Sequence, residues 1–233
     1  FVKRRGWRSF VTAPCVRAKV ALTLGDRSVT VLSDRGGYLD HRITPHALGP
    51  GWHKVTAQTA QSEPVECDVR IIGDEVRFGL ISDIDDTVLT TWLPRPMIAA
   101  WNSFVRDESN RQSIPGMARF YQQFMDAHPG AAMVYLSTGA WNAYDFLNRF
   151  LTVHHYPKAA LLLTDWGPTN TGWFRSGMEH KRTSLLRLAA DFPQLKWLLA
   201  GDAGQHAPEI YAESAPSHPS HVATLPIRQL SPT

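Results

Sequence analysis

From Phe78 onward, short apolar runs alternate with longer stretches of helical periodicity, and no other feature limits the possible folds as strongly. Strands separated by crossover helices pair in parallel, so the pattern predicts an open α/β sheet. The expected strands are 78–82, 132–136, 160–163, 196–200 and 221–227; the expected helices are 117–127, 141–151 and 181–192. In the last helix Leu185, Leu186, Leu188, Ala189 and Phe192 share one face, while Arg182, Arg187 and Asp191 point away.

The chain before Phe78 has another texture. Residues 16–23 and 65–72 alternate apolar with polar, and 28–32 follows the turn signal Gly25-Asp26. Asp34-Arg35-Gly36-Gly37 and Gly49-Pro50-Gly51 punctuate the intervals, a spacing that reads as a small β-sandwich. The turn at Gly73-Asp74 separates the two textures, so the expected domains are 1–75 and 76–233.

Composition removes several classes. With 43% hydrophobic and 19% charged residues, the 233-residue chain lies far from the disordered regime. The uncharged run from Gly130 to Tyr144 is too short and, with Ser137, Thr138, Gly139 and Asn142, too polar to span a bilayer. A net charge of +3 admits anionic partners without requiring them. Lys3, Arg4, Arg5 and Arg8, interleaved with Trp7 and Phe10, read as a solvated leader, and no nucleic-acid partner is expected. The opening Phe1-Val2-Lys3, without Met or an apolar leader, reads as a trimmed chain. Cys15 and Cys67 are too few for a disulfide framework and lack metal-ligand spacing, so they read as reduced structural thiols.

The chemistry is concentrated at the ends of the expected parallel strands. Ser82-Asp83-Ile84-Asp85-Asp86-Thr87 follows the first of them. If the extended conformation continues to Asp85, alternation puts the Asp83 and Asp85 carboxylates on one side, beyond the carboxyl end of the strand, where open α/β sheets bind ligands. A divalent cation would relieve their repulsion, and Mg²⁺ held by carboxylates and substrate phosphate is one solution. A calcium loop of the EF-hand type is disfavoured because Val88 occupies the position that should be glycine. The second strand ends in Ser137-Thr138-Gly139, whose hydroxyls and amides suit phosphate oxygens. Lys181, read as lying just ahead of the third helix, can add a point charge, and Gly201-Asp202 ends the fourth strand with another carboxylate. Singly these are a cap, a solvent lysine and a turn; their recurrence at successive ends argues for one site. The His154-His155 pair lacks the spacing of two ligands on one helix face and reads as surface or packing.

This arrangement resembles the haloacid dehalogenase superfamily of phosphohydrolases. More narrowly, Leu80-Ile81-Ser82-Asp83-Ile84-Asp85-Asp86-Thr87-Val88, Leu93-Pro94-Arg95-Pro96, Pro115-Gly116-Met117, Tyr135-Leu136-Ser137, Gly201-Asp202-Ala203-Gly204-Gln205 and Pro208-Glu209-Ile210-Tyr211 resemble the Mg²⁺-dependent phosphatidate phosphatases related to the yeast actin-patch protein. The resemblance covers about 78–230 and implies a Rossmann-like α/β fold of haloacid dehalogenase type. It implies Asp83 as nucleophile, Asp85 as acid and base, Ser137 and Lys181 as holders of the transferring phosphate, and Thr87 as a brace of the loop. It also implies Mg²⁺ bound by Asp83, the backbone carbonyl of Asp85, and Asp202.

One position departs from that pattern. Relatives usually carry Asp where this chain has Ala207, which implies a weakened metal site unless His206 or Glu209 compensates. The expected substrate is a phosphomonoester, with phosphatidate favoured; a soluble phosphomonoester, or binding of phosphate or lipid headgroups without turnover, are the rival readings. Between Thr90 and Ser113 lies a cap-like insertion in which Met97, Trp101, Phe104 and Val105 would form one apolar helical face beside Arg95 and Arg106, either packed on the core or suited to acyl chains. The expected location is the cytoplasm, with peripheral contact to an anionic membrane.

Overall fold

A computed structural model describes residues 15–44, 47–84, 87–88, 113–164, 173–202 and 222–228. The chain divides into two compact units between Asp74 and Glu75. The first unit holds β1 (Lys19–Leu24), β2 (Arg27–Leu32), β3 (Gly51–Thr59) and β4 (Val65–Ile71). They form one antiparallel sheet in the order β2-β1-β3-β4. Gly25, at φ 60°, lets a two-residue turn join β1 to β2, with Leu24 opposite Arg27.

Register sorts the side chains of this sheet by face. Val20, Leu24, Val31 and Val55 are buried on one side. On the other, Lys54 and Asp68 stand opposite each other and form an ion pair at 2.7 Å, next to Arg70 stacked over Trp52. A sandwich needs two sheets, whereas the described residues of this unit form a single sheet, so the expected β-sandwich is corrected to one antiparallel sheet. The described residues between β2 and β3 carry no strand; Asp34 Oδ1 accepts the N–H groups of Gly36 and Tyr38 and curls the chain into a turn instead. Cys15 and Cys67 are free, but both are exposed, contrary to the habit of unpaired cysteines that suggested burial.

The second unit is built on five strands: β5 (Phe78–Asp83), β6 (Ala132–Ala140), β7 (Ala160–Thr164), β8 (Lys196–Asp202) and β9 (Val222–Arg228). All neighbours are parallel, in the order β7-β6-β5-β8-β9. Between them run α1 (Met117–Ala127), a 3-10 turn (Trp141–Ala143) leading into α2 (Tyr144–Val153), and α3 (Trp173–Asp191), which packs on β6 and β7. The protein is therefore of mixed α/β class, with one parallel and one antiparallel sheet. No helix among the described residues is long and apolar enough to cross a membrane.

The central strand explains its own composition. β5 is buried from Gly79 to Asp83, as a parallel strand covered on both faces must be. Gly79 stands opposite Trp197 on β8, and a Cβ there would lie 2.4 Å from the indole ring. Leu80, Ile84, Met117, Tyr121, Tyr135, Leu147, Phe150 and Leu163 fill the surrounding core. Each large apolar side chain so buried contributes about 1.5–3 kcal/mol.

Strand order also marks where a ligand would sit. The chain runs outward from β5 through β6 to β7, then crosses back to β8 on the other flank. In open α/β sheets this reversal leaves a crevice beyond the carboxyl ends of the two strands that part, here β5 and β8. Their last residues are Asp83 and Asp202. Just beyond β5 the chain turns: Val88 N–H donates to the Ile84 carbonyl at 3.0 Å, and Val88's own carbonyl receives the N–H of Ile114 at 3.2 Å.

Candidate active site

Asp83 has no exposed surface, and Lys181 is 2% exposed, yet both are charged side chains. Lys181 Nζ lies 2.9 Å from Asp83 Oδ2. The other carboxylate oxygen, Oδ1, accepts the N–H of Ile84 at 3.0 Å. Both oxygens therefore have a fixed direction. Removing two charges from water costs several kcal/mol per ion, and their mutual attraction returns that only in good geometry. Such a pair is weak support for stability and a reasonable sign of function.

Other buried polar groups gather around it. In this unit they are Ser82, Thr87, Ser137 and Thr164, at or just past the carboxyl ends of β5, β6 and β7. Ser137 Oγ accepts the N–H of Gly139 at 2.9 Å. The pairing of β6 with β7 shifts register between Leu136 and Ala140, so Ser137-Thr138-Gly139 bulges from the ladder, and Thr164 Oγ1 donates to the Thr138 carbonyl at 2.9 Å. A bulge of this kind re-aims side chains and frees backbone groups beside a site. The Thr87 hydroxyl is buried and has no hydrogen-bond partner among the described residues.

Beneath Asp83 lies a set of tyrosines. Ser82 Oγ is 2.6 Å from the Tyr121 hydroxyl, and Tyr121 packs edge-on against Tyr156. Tyr156 donates to the Val88 carbonyl at 3.0 Å and lies 3.0 Å from Ser113 Oγ, while the Tyr135 hydroxyl donates to the Pro157 carbonyl. Burial pushes all three phenols above the ordinary tyrosine range, so they act as hydrogen-bonding hydroxyls. His180, beside Lys181, is shifted the other way. Burial lowers its pKa and the Lys181 charge lowers it further, against a contact with the Leu162 carbonyl.

The structure alters two of the sequence expectations and leaves a third outside its reach: β5 ends at Asp83, and Asp85 and Asp86 lie outside the described residues. Lys181 does not precede the third helix but stands inside α3, which begins at Trp173. Gly177, about 1 kcal/mol poorer than alanine in a helix, hides the first turns from a reading of periodicity. The Gly139 amide, expected to be open to phosphate, is committed to Ser137. Asp202 closes β8 as expected, although only its backbone is described, and Ala207 and the insertion with Trp92, Ile98 and Trp101 lie outside the described residues. His154 stacks on Phe150 with ring centres 4.3 Å apart, a packing role.

Sequence reasoning passed over Ser82, Tyr121, Tyr156 and Thr164 as functional candidates. The signal for the tyrosines was indirect: a phenol on the covered face of a helix needs a polar partner when buried. Among the described residues no group of three or more His, Cys, Asp or Glu side chains forms a metal cage. The donor chemistry nonetheless suits a hard divalent cation. Carboxylate residues end two adjacent parallel strands, and carboxylate oxygen is the ligand type such a cation takes.

A buried carboxylate and ammonium at the carboxyl edge of a parallel sheet, where strand order reverses, mark an α/β protein with a candidate polar site. Within that class the chain belongs to the family described as Phosphatidate phosphatase APP1, catalytic domain, which residues 78–229 match. Over 152 residues, or 65% of the chain, it is 26% identical to Phosphatidate phosphatase APP1 of Saccharomyces cerevisiae. Over 158 residues, or 67% of the chain, it is 25% identical to an uncharacterized protein of Schizosaccharomyces pombe. Each match spans 26% of the relative's own length. A solved carbohydrate esterase structure overlaps 93% of this chain and 76% of its own at a TM-score of 0.33 and 10% identity, which is too low to inform fold or chemistry.

Proposed function

We propose that this protein is a Mg²⁺-dependent phosphatase of haloacid dehalogenase type, its domain at 76–233, that hydrolyses a phosphomonoester through an aspartyl-phosphate on Asp83. Phosphatidate is the favoured substrate. The observation that carries this reading is the buried Asp83–Lys181 pair at the carboxyl end of the central strand. A carboxylate held at both oxygens is aimed before substrate arrives, and fixed orientation is worth several orders of magnitude in rate.

In this reading an Asp83 oxygen attacks phosphorus, an O–P bond forms, and the ester P–O bond breaks. Asp85 gives its proton to the departing alkoxide, then takes one from the water that attacks the aspartyl-phosphate. The Asp83–phosphorus bond breaks in that second step and inorganic phosphate leaves. Ser137 and Lys181 hold the transferring oxygens, with Lys181 countering their charge in a site shielded from water, and Thr87 braces the loop. Asp83, the Asp85 backbone carbonyl and Asp202 would hold Mg²⁺, which would supply charge neutralisation between the carboxylate and the phosphate. The chain acts in the cytoplasm and meets an anionic membrane peripherally when its substrate is a lipid.

Phosphate release measured with Mg²⁺, on phosphatidate in mixed micelles and on a soluble phosphomonoester, tests the reading. Asp83→Asn removes the attacking charge and abolishes release; wild-type turnover by this variant overturns the mechanism. Cleavage of the soluble ester with none of phosphatidate overturns the lipid assignment alone.

A further inference from the structure

Three hydrogen bonds run in series from α1 to the candidate nucleophile. The Ser82 hydroxyl donates to the Asp83 carbonyl at 2.7 Å. A carbonyl only accepts, so the single Ser82 proton is committed there, and the 2.6 Å contact between Ser82 Oγ and Tyr121 must carry the tyrosine's proton toward the serine. The carbonyl that receives Ser82 belongs to the same peptide unit as the Ile84 N–H, which donates to Asp83 Oδ1 at 3.0 Å. The series is therefore Tyr121 O–H to Ser82 O–H to the Asp83–Ile84 peptide to the Asp83 carboxylate.

All donors point one way. Hydrogen bonds in such a chain polarise one another in a low-dielectric interior, and a peptide whose oxygen is hydrogen-bonded is a stronger donor at its nitrogen. Tyr121, Ser82 and Asp83 have no exposed surface, so water does not interrupt the series. Phenylalanine would fill nearly the same space in α1, which makes the hydroxyl, not the ring, the feature in need of a reason.

We infer that Tyr121 is a positioning residue: through Ser82 it strengthens the Ile84 N–H bond that fixes Asp83 Oδ1, leaving Oδ2 turned to Lys181. Its role in turnover rests on the reading of Asp83 as nucleophile; the relay itself does not.

The test uses the full chain, ¹⁵N-labelled, as wild type, Tyr121→Phe, Ser82→Ala and the double variant. The Ile84 amide proton resonance moves upfield in each single variant and no further in the double. With Mg²⁺ and a phosphomonoester that the wild type cleaves, kcat falls about fivefold to tenfold in each single variant at unchanged KM, and the double loses no more than the larger single. A purely structural role would lower stability without moving the Ile84 resonance or splitting kcat from KM. An unmoved Ile84 resonance in Tyr121→Phe, or losses that multiply in the double variant, overturns the inference. A shifted resonance in a protein whose Asp83→Asn variant keeps full turnover leaves the relay standing but overturns its role in turnover. Should one single variant fail to fold, the other reads the same relay.

Discussion

Lys181 meets Asp83 from the flank of α3, its ammonium 2.9 Å from Oδ2, in a place where neither side chain reaches solvent. The charge at this site therefore comes from a side chain in the middle of a long helix, whose position is set by the packing of that helix on β6 and β7.

Removing one member of the pair strands the other. Lys181→Met leaves a buried carboxylate without its cation and is expected to lower stability by about 3–5 kcal/mol, read by urea denaturation. Phosphate release should be lost as well. Lys181→Arg should not restore it, because a planar fork does not fit the space of a point charge. An unchanged urea midpoint in Lys181→Met would show that the pair is solvated.

Gly79 leaves no room for a side chain under Trp197. Gly79→Ala should cost about 1–3 kcal/mol through overpacking between two paired strands. The cost should shrink when Trp197 is replaced by Leu, so a thermal denaturation cycle of the two substitutions checks the cause as well as the size.

His180 predicts an acid limb in stability. Its folded pKa lies below the ordinary histidine value, so its neutral form is the one compatible with the fold. That contribution is present above the unfolded pKa of about 6.5 and is lost as pH falls through it toward the folded value. His180→Gln, which keeps a donor for the Leu162 carbonyl, should flatten the fall of Tm between pH 7.5 and pH 5. Parallel Tm curves for the two proteins would exclude His180 as its source.

On the proposed Mg²⁺-dependent reading, Ala207 predicts a weakened metal site, because the resembled family usually carries an acid at that position. Ala207→Asp should then lower the Mg²⁺ concentration for half-maximal phosphate release about 10-fold. Chelation by EDTA should silence both forms, and coincident Mg²⁺ titrations would show that another group already fills the role.

Much of the α/β unit was legible in advance because its signals are local. The strands from Phe78, Ala132, Ala160 and Lys196 begin at the expected residues, and α1 has the expected bounds, since apolar runs and helical periodicity read directly as buried elements. β3 was not anticipated. Only Val55 and Ala57 mark its covered side, and apart from Trp52 on the other face its remaining residues are polar or glycine, so a strand paired on both edges looked like a loop. Of the candidate site, Asp83 and Ser137 were legible as residue types near strand ends, whereas Lys181 was expected ahead of a helix that it in fact lies within. Their contacts were not legible, because a buried ion pair between positions 83 and 181 depends on how α3 lies on the sheet. Ser82 and Tyr121 escaped notice for the same reason: a serine in a strand and a tyrosine in an amphipathic helix acquire their roles only when the two elements meet.

The Val88 carbonyl accepts both the Ile114 N–H and the Tyr156 hydroxyl, so the residues flanking positions 89–112 are joined directly to each other and to the segment that follows α2. A change of length between Val88 and Ile114 therefore acts on a stretch of chain whose two ends are already held together. Doubling the length of a closed loop costs only about 0.6 kcal/mol. Insertions or deletions between Val88 and Ile114 thus cost closure entropy alone and leave untouched the sheet that holds Asp83.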